Sequence, residues 1–321
     1  MLRILKNWTL PISMLTGVVM YFVYTGIHAL DGTHQAVSRF IEVFQPLLLF
    51  TMLFVSFCKV SPRELKPRRW MLKLLTVQVL SFVGMGLFII LFPQIPGRVV
   101  IESAMICMIC PTATAASVVT AKLQGNPSLV VSYTCLINLA ASVAIPSVVS
   151  FLHEGRAELG FIESFALIMG KVFPLLILPL LSAWFVRYMM PRFHRRILAC
   201  KNLAFNLWAV ALTLAIGITV KAIVHSHESL LMLTFVALAS LVTCVLQFYL
   251  GHSIGLHHHE AVAGTQSLGQ KNTIFAIWMG YTFMNPVTAM AGGFYSVWHN
   301  IINSWQLWQM RKKTEMYYRN S

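Results

Sequence analysis

Apolar residues run along this chain in long unbroken stretches. Ten of them, near 8–28, 40–60, 72–93, 99–122, 128–152, 160–188, 203–224, 229–251, 262–284 and 286–308, are each long enough to cross about 30 Å of hydrocarbon as a helix. Each is too long for a strand. The pattern predicts an all-α membrane protein with short connections and no soluble domain.

Composition agrees. The 321 residues are 57% hydrophobic and 11% charged, with mean hydropathy +0.72, where a soluble domain carries about 25% charge. Met1 to Lys6 reads as a short basic lead into the first span, without a signal-peptide cleavage pattern. The six cysteines (Cys58, Cys107, Cys110, Cys135, Cys200, Cys244) fall mostly inside apolar segments and are not a secreted disulfide framework.

The charge of +14 could suggest nucleic acid. Its distribution argues for topology instead. With the N-terminus inside, the inner side carries 18 basic residues, in clusters such as Lys66, Arg68 and Arg69, Arg192, Arg195 and Arg196, and Arg311 to Lys313. The outer side carries Arg39, Arg98 and Arg156. That bias places both termini in the cytoplasm of a bacterial inner membrane or its equivalent. The clusters set topology or touch anionic membrane lipid, and nucleic acid is not expected as a partner.

Ten spans divide as five plus five. An odd count per half turns the second half upside down, the inverted-repeat plan of secondary transporters. The expected repeats are about 1–155 and 156–310 of one transmembrane domain, with 311–321 a basic cytoplasmic tail. The fourth span of each half is interrupted, by Pro111 to Ser117 and by Gly264 to Thr273. Proline removes a backbone donor and clashes with the preceding turn. Unwound backbone persists in a membrane only where protein or a cavity surrounds it. Lys271 stands in the second interruption. An ammonium near mid-membrane costs roughly 2.5–3.5 kcal/mol on insertion scales, so it marks a site.

The residues around both breaks resemble the bile acid:sodium symporter family, its ten-helix bacterial branch in particular. Cys110-Pro111-Thr112-Ala113-Thr114-Ala115-Ala116-Ser117 stands where that family has Cys-Pro-Gly-Gly-Thr-Ala-Ser-Asn. Ser267-Leu268-Gly269-Gln270-Lys271-Asn272 stands where it has Glu-x-Gly-x-Gln-Asn, and Ser296-Val297-Trp298-His299-Asn300 matches its Ser-x-Trp-His-Asn. The resemblance implies crossed fourth and ninth helices, alternating access and no cofactor.

It also implies two sodium sites, and here the chain departs from the pattern. Gln78 and Thr134 match family ligands. The serine and asparagine of the first break are Ala116 and Ser117, the next helix's serine falls on Val130, the shared glutamate is Ser267, and a glutamine ligand is Lys271. The carboxylate is gone and an ammonium is near. Two unit charges 4 Å apart repel by about 4 kcal/mol at an effective dielectric of 20. Both sodium sites are therefore expected to be lost, with Lys271 as a built-in cation. Either it stays charged and transport is sodium-independent, or it exchanges a proton and transport is proton-coupled.

The expected substrate is a small organic anion facing the positive ends of the half-helices, with Thr112, Thr114, Lys271, Asn272, His299 and Asn300 lining its site. His299 beside Trp298 reads as a core histidine before a ligand, and Asn300 with Asn303 reads equally as interhelical glue. Lys171, near Pro174, is a second anion contact unless the proline breaks the helix and lets it snorkel. Glu102 and Glu163 read as interfacial. His257-His258-His259-Glu260 reads as a solvated loop rather than a metal site, so no metal is expected. Cys107 and Cys110, one turn apart, keep a metalloid exporter open as an alternative. A sodium- or proton-coupled symporter and a non-transporting sensor remain the others. The only aspartate is Asp31, in an outer loop, against a cation/proton antiporter. No motif of an intramembrane enzyme appears.

Overall fold

A computed structural model describes residues 2–152, 160–200 and 203–320. Arg156 and Lys201, two of the residues used to orient the chain, lie outside them. The described residues are helical: α1 Leu2–Gly26, α2 His34–Cys58, α3 Arg69–Leu91, α4 Arg98–Ile109, α5 Ala116–Lys122, α6 Pro127–Leu152, α7 Phe161–Met189, α8 Pro191–Ala199, α9 Leu203–Val224, α10 Leu230–Leu256, α11 Ala261–Gly269, α12 Thr273–Phe283 and α13 Pro286–Asn320. Short 3-10 helices at His28–Thr33 and Pro62–Glu64 precede α2 and α3.

Six of these helices (α2, α3, α6, α7, α9 and α10) are long and apolar enough to cross a membrane. Their outer faces expose large side chains that a soluble protein would bury, among them Leu80, Leu91, Val242 and Tyr249. A continuous apolar exterior of this kind belongs against lipid. The protein is an all-α membrane protein.

Local chemistry fixes the helix ends. Ser229 caps α10 by accepting from Met232 N at 3.2 Å, and Asn285 accepts from Thr288 N at 2.8 Å in the first turn of α13. Gly97, at φ +76°, takes the left-handed turn before α4. Pro191 starts α8, where its missing N–H costs nothing. Pro174 and Pro179 do not break α7, which runs through both.

The helices pack as two groups. α9 packs on α1 and α2, and α2 on α7, while α3, α6, α10 and α13 enclose the two interrupted segments, α4–α5 and α11–α12. α12 touches both α2 and α9, and α6 packs on α7, which joins the groups.

Several boundaries differ from expectation. The second interruption is only Gln270–Asn272, because Gly264 to Gly269 stay helical in α11. These glycines serve close approach instead. A Cβ on Gly251 would lie 2.5 Å from the Gly264 carbonyl oxygen, and one on Gly269 would meet the Phe248 ring. The first interruption ends sooner than predicted, since Ala116 and Ser117 open α5. The last helix continues to Asn320 rather than stopping near 308. Glu102 is not interfacial. It is 3% exposed, accepting from Arg98 Nε at 2.6 Å and from Asn285 Nδ2 and Thr288 Oγ1 at 3.1 Å. This carboxylate clamps the start of α4 to the start of α13, with donors from Arg98 on α4, Asn285 in the α12–α13 turn and Thr288 on α13.

Candidate functional site

The two interruptions meet. Thr112 and Lys271 form an isolated antiparallel bridge, with Ala113 N donating to Gln270 O and Asn272 N to Pro111 O, each at 2.8 Å. Backbone groups that unwinding would orphan are thus satisfied across the pair, as burial demands. Pro111 has no N–H to lose, and its carbonyl accepts from the other half of the chain.

Side chains complete the junction. Thr112 Oγ1 donates to Ser267 O at 2.6 Å, and Cys110 Sγ to Asn272 O at 2.8 Å. Asn272 Oδ1 accepts from Phe275 N at 3.3 Å and so caps α12. Gln78 Nε2 donates to the last carbonyls of α4, Ile109 O at 3.1 Å and Cys110 O at 3.0 Å. Its Oε1 accepts from Tyr133 Oη at 2.8 Å. Tyr295 on α13 donates to Gly269 O at 2.8 Å, and Gln247 on α10 donates to Tyr295 Oη and to Cys107 O.

Lys271 sits inside this frame at 1% exposure, and among the described residues its Nζ has no hydrogen-bond partner. Among the described residues, the titratable side chains around it are the thiols of Cys110, Cys107 and Cys244, with no carboxylate. Ser267 Oγ and Gln270 Oε1 nearby in sequence are also buried without partners. An ammonium with no counter-charge in a low-dielectric interior is costly, and buried polar atoms without described partners cluster around it, Gln247 Oε1, Ser296 Oγ and His299 Nδ1 among them.

The residues matched to sodium ligands are differently engaged. Gln78 is committed to the end of α4. Thr134 Oγ1 donates to Val130 O at 2.8 Å within α6. Val130 is a buried apolar contact, Ala116 is fully buried in the same cluster, and Ser117 Oγ donates to Thr114 O at 3.3 Å. Ser267 lends its carbonyl to Thr112.

Of the expected substrate residues, Thr112, Lys271 and Asn272 come together at the junction. Thr114 stands half-buried in the first interruption. His299 and Asn300 face inward from α13. His299 packs edge-on to Tyr295 with its Nδ1 unpartnered, and Asn300 Nδ2 donates to Ser296 O at 2.6 Å.

None of these six lines the large cavity. That space, about 700 Å³, opens between α2, α7, α9 and α12, with Glu42, Gln45, Lys171, Lys221, Trp278 and Tyr281 on its walls. The Lys171 ammonium lies 5.7 Å over the Phe283 ring, and Lys221 Nζ donates to Ser38 Oγ at 3.3 Å. Gln45 Nε2 reaches Ile274 O at 3.3 Å, so the cavity wall is tied to the first turn of α12, three residues from Lys271. Sequence reading did not pick out Gln45, Gln247, Glu42 or Lys221 as site residues. The available signal was a polar residue inside an otherwise apolar span.

The described residues hold no group of three or more His, Cys, Asp or Glu able to take a metal ion.

No protein-family model matches the chain. The chain is similar to the uncharacterised sodium-dependent transporter YocS of Bacillus subtilis, with 22% identity over 277 residues, covering 84% of this chain and 82% of that protein. A transporter relative of matching length agrees with a membrane protein built around paired helix breaks.

Proposed function

We propose that this chain is a secondary transporter carrying a small organic anion by alternating access, independently of sodium, with the Lys271 ammonium in the place of a bound cation. The observation that carries this reading is the unpartnered, buried Nζ of Lys271 at the contact of the two helix interruptions. An ammonium there supplies the fixed positive charge that sodium supplies elsewhere, without needing hard oxygen ligands.

The rest of the proposal fits around that charge. Helices α1, α2, α3, α4–α5 and α6 would form one repeat, and α7, α9, α10, α11–α12 and α13 its inverted copy, with α8 inserted. Lys171 and Lys221 in the cavity would draw an anion toward the junction, while the aromatic walls of Trp278 and Tyr281 hold its apolar part. Thr112, Asn272, His299 and Asn300 would line the path when the cavity closes and the opposite side opens. The sodium dependence in the relative's name is not carried over, because the shared carboxylate position is Ser267.

The same unpartnered ammonium favours a second reading, in which Lys271 gives up and regains a proton once per cycle. A metalloid exporter has less support: Cys110 Sγ is spent on Asn272 O, and Cys107 Sγ lies 3.7 Å from Ala291 O.

The test is flux in liposomes with a panel of labelled organic anions, comparing the wild type with Lys271→Met. This substitution keeps the length and volume of the side chain and removes its charge. The proposal expects saturable uptake that falls at least about tenfold in the variant, the usual cost of losing a desolvated charge contact, with thermal stability unchanged or higher. Unchanged uptake would remove Lys271 from the mechanism. Binding without flux for every anion would favour a sensor. Uptake that follows an imposed pH gradient would select the proton-coupled reading.

A further inference from the structure

Helix α8 is the element that transport does not explain. It follows α7 directly and docks on the end of α2, where buried His194 donates through Nε2 to Cys58 O at 2.8 Å. That bond satisfies a carbonyl of the last turn of α2 and fixes the rotation of α8. At about 100° per residue, Arg195 then points to one side, and Arg192 and Arg196 away from the bundle. All three are exposed. Phe193 (45%) and Leu198 (41%) are exposed beside them, and Tyr188, Met189 and Met190 continue the apolar surface back along α7. In the last turn of α7, Arg187 carries a buried Nη1 without a hydrogen-bond partner among the described residues.

We propose that α8 is an anionic-phospholipid site at the membrane face where α2 and α7 end, with Arg192, Arg195 and Arg196 meeting the headgroup phosphate and the apolar flank meeting the acyl chains. A short helix with one basic and one apolar side, set directly after a membrane-spanning helix, has the pattern of an interfacial helix. Guanidinium groups recognise phosphate oxygens in pairs. The adjoining apolar surface selects a lipid over free phosphate, which has nothing to place against Phe193 and Met189. Because α8 is pinned to α2, and α2 forms a wall of the cavity, headgroup binding would also hold that wall in place.

The test is native mass spectrometry of the delipidated, purified protein, offered equal amounts of phosphatidylglycerol and phosphatidylcholine with identical chains. The expected result is retention of phosphatidylglycerol over phosphatidylcholine by at least about tenfold, given three basic side chains at one surface. The triple variant R192Q/R195Q/R196Q, which keeps His194 and so the docking of α8, should lose the preference with an unchanged circular dichroism spectrum. R311Q/K312Q, which removes charge from α13 instead, should keep it. Equal retention of the two lipids, or a preference that survives the triple variant, would overturn the proposal. Loss of the preference in R311Q/K312Q to the same degree would also overturn it, as would displacement of the lipid by millimolar inorganic phosphate.

Discussion

Thr112 and Lys271 are 159 positions apart in sequence and pair as neighbours in space, through an antiparallel bridge between two interrupted helices. Each interruption supplies the hydrogen-bond partners that the other lacks. Neither could persist alone in a membrane interior, where unsatisfied backbone costs several kcal/mol per group. The junction is therefore a single structural unit made by both halves of the chain.

Gln78 is the support of that unit that is easiest to remove. Its amide holds Ile109 O and Cys110 O and accepts from Tyr133. Gln78→Leu fills the same space and leaves those groups buried without partners. Its expected cost is about 2–4 kcal/mol at roughly 1–3 kcal/mol per buried orphan, reduced by local rearrangement. Thermal unfolding in detergent reads the loss. An unchanged midpoint would mean that the end of α4 finds other donors.

Glycine positions separate close packing from mere helix content. In Gly251→Ala the new methyl would lie 2.5 Å from Gly264 O, forcing α10 and α11 apart at a cost of about 1–3 kcal/mol. In Gly84→Ala nothing lies within 4 Å, and alanine should stabilise α3 by up to about 1 kcal/mol. Opposite shifts of the two midpoints are expected. Equal shifts would contradict the close approach of α10 and α11.

The cavity lysines should act on affinity. Lys171→Gln and Lys221→Gln each remove a cationic wall group, and each should raise the KM for an anionic substrate by roughly 3–10-fold while changing kcat less, as expected for groups that bind substrate and transition state alike. Glu42→Gln removes the opposing charge and should lower KM. The three variants in one liposome assay give the sign directly. A fall in KM on losing either lysine would exclude this cavity as the anion's entry.

Much of this arrangement was legible from residues alone. Unbroken apolar runs marked the six helices that are long and apolar enough to cross a membrane. Pro111 and Lys271 marked the two interruptions that meet at the junction, because each is expensive in lipid unless something compensates. The extent of the second interruption was not legible. Gly264 to Gly269 read as part of the interruption, whereas Gly264 and Gly269 are where α10 and α11 come close enough that a side chain would collide. Glu102 read as an interfacial carboxylate because its donors, Asn285 and Thr288, are more than 180 residues away. The cavity was hidden for the same reason: Glu42, Lys171 and Lys221 lie on three different helices, and no local spacing relates them.

Sodium dependence tests the central claim most directly. Uptake of a transported anion would be measured in liposomes, with sodium replaced by potassium at constant ionic strength and pH. The wild type would be compared with the double variant S267E/K271Q, which restores a carboxylate and removes the ammonium. If Lys271 replaces a bound cation, wild-type uptake is the same in both salts and uptake by the double variant becomes sodium-stimulated. Wild-type uptake that collapses without sodium would contradict the account, since the ion would then have to bind beside an ammonium and without the carboxylate.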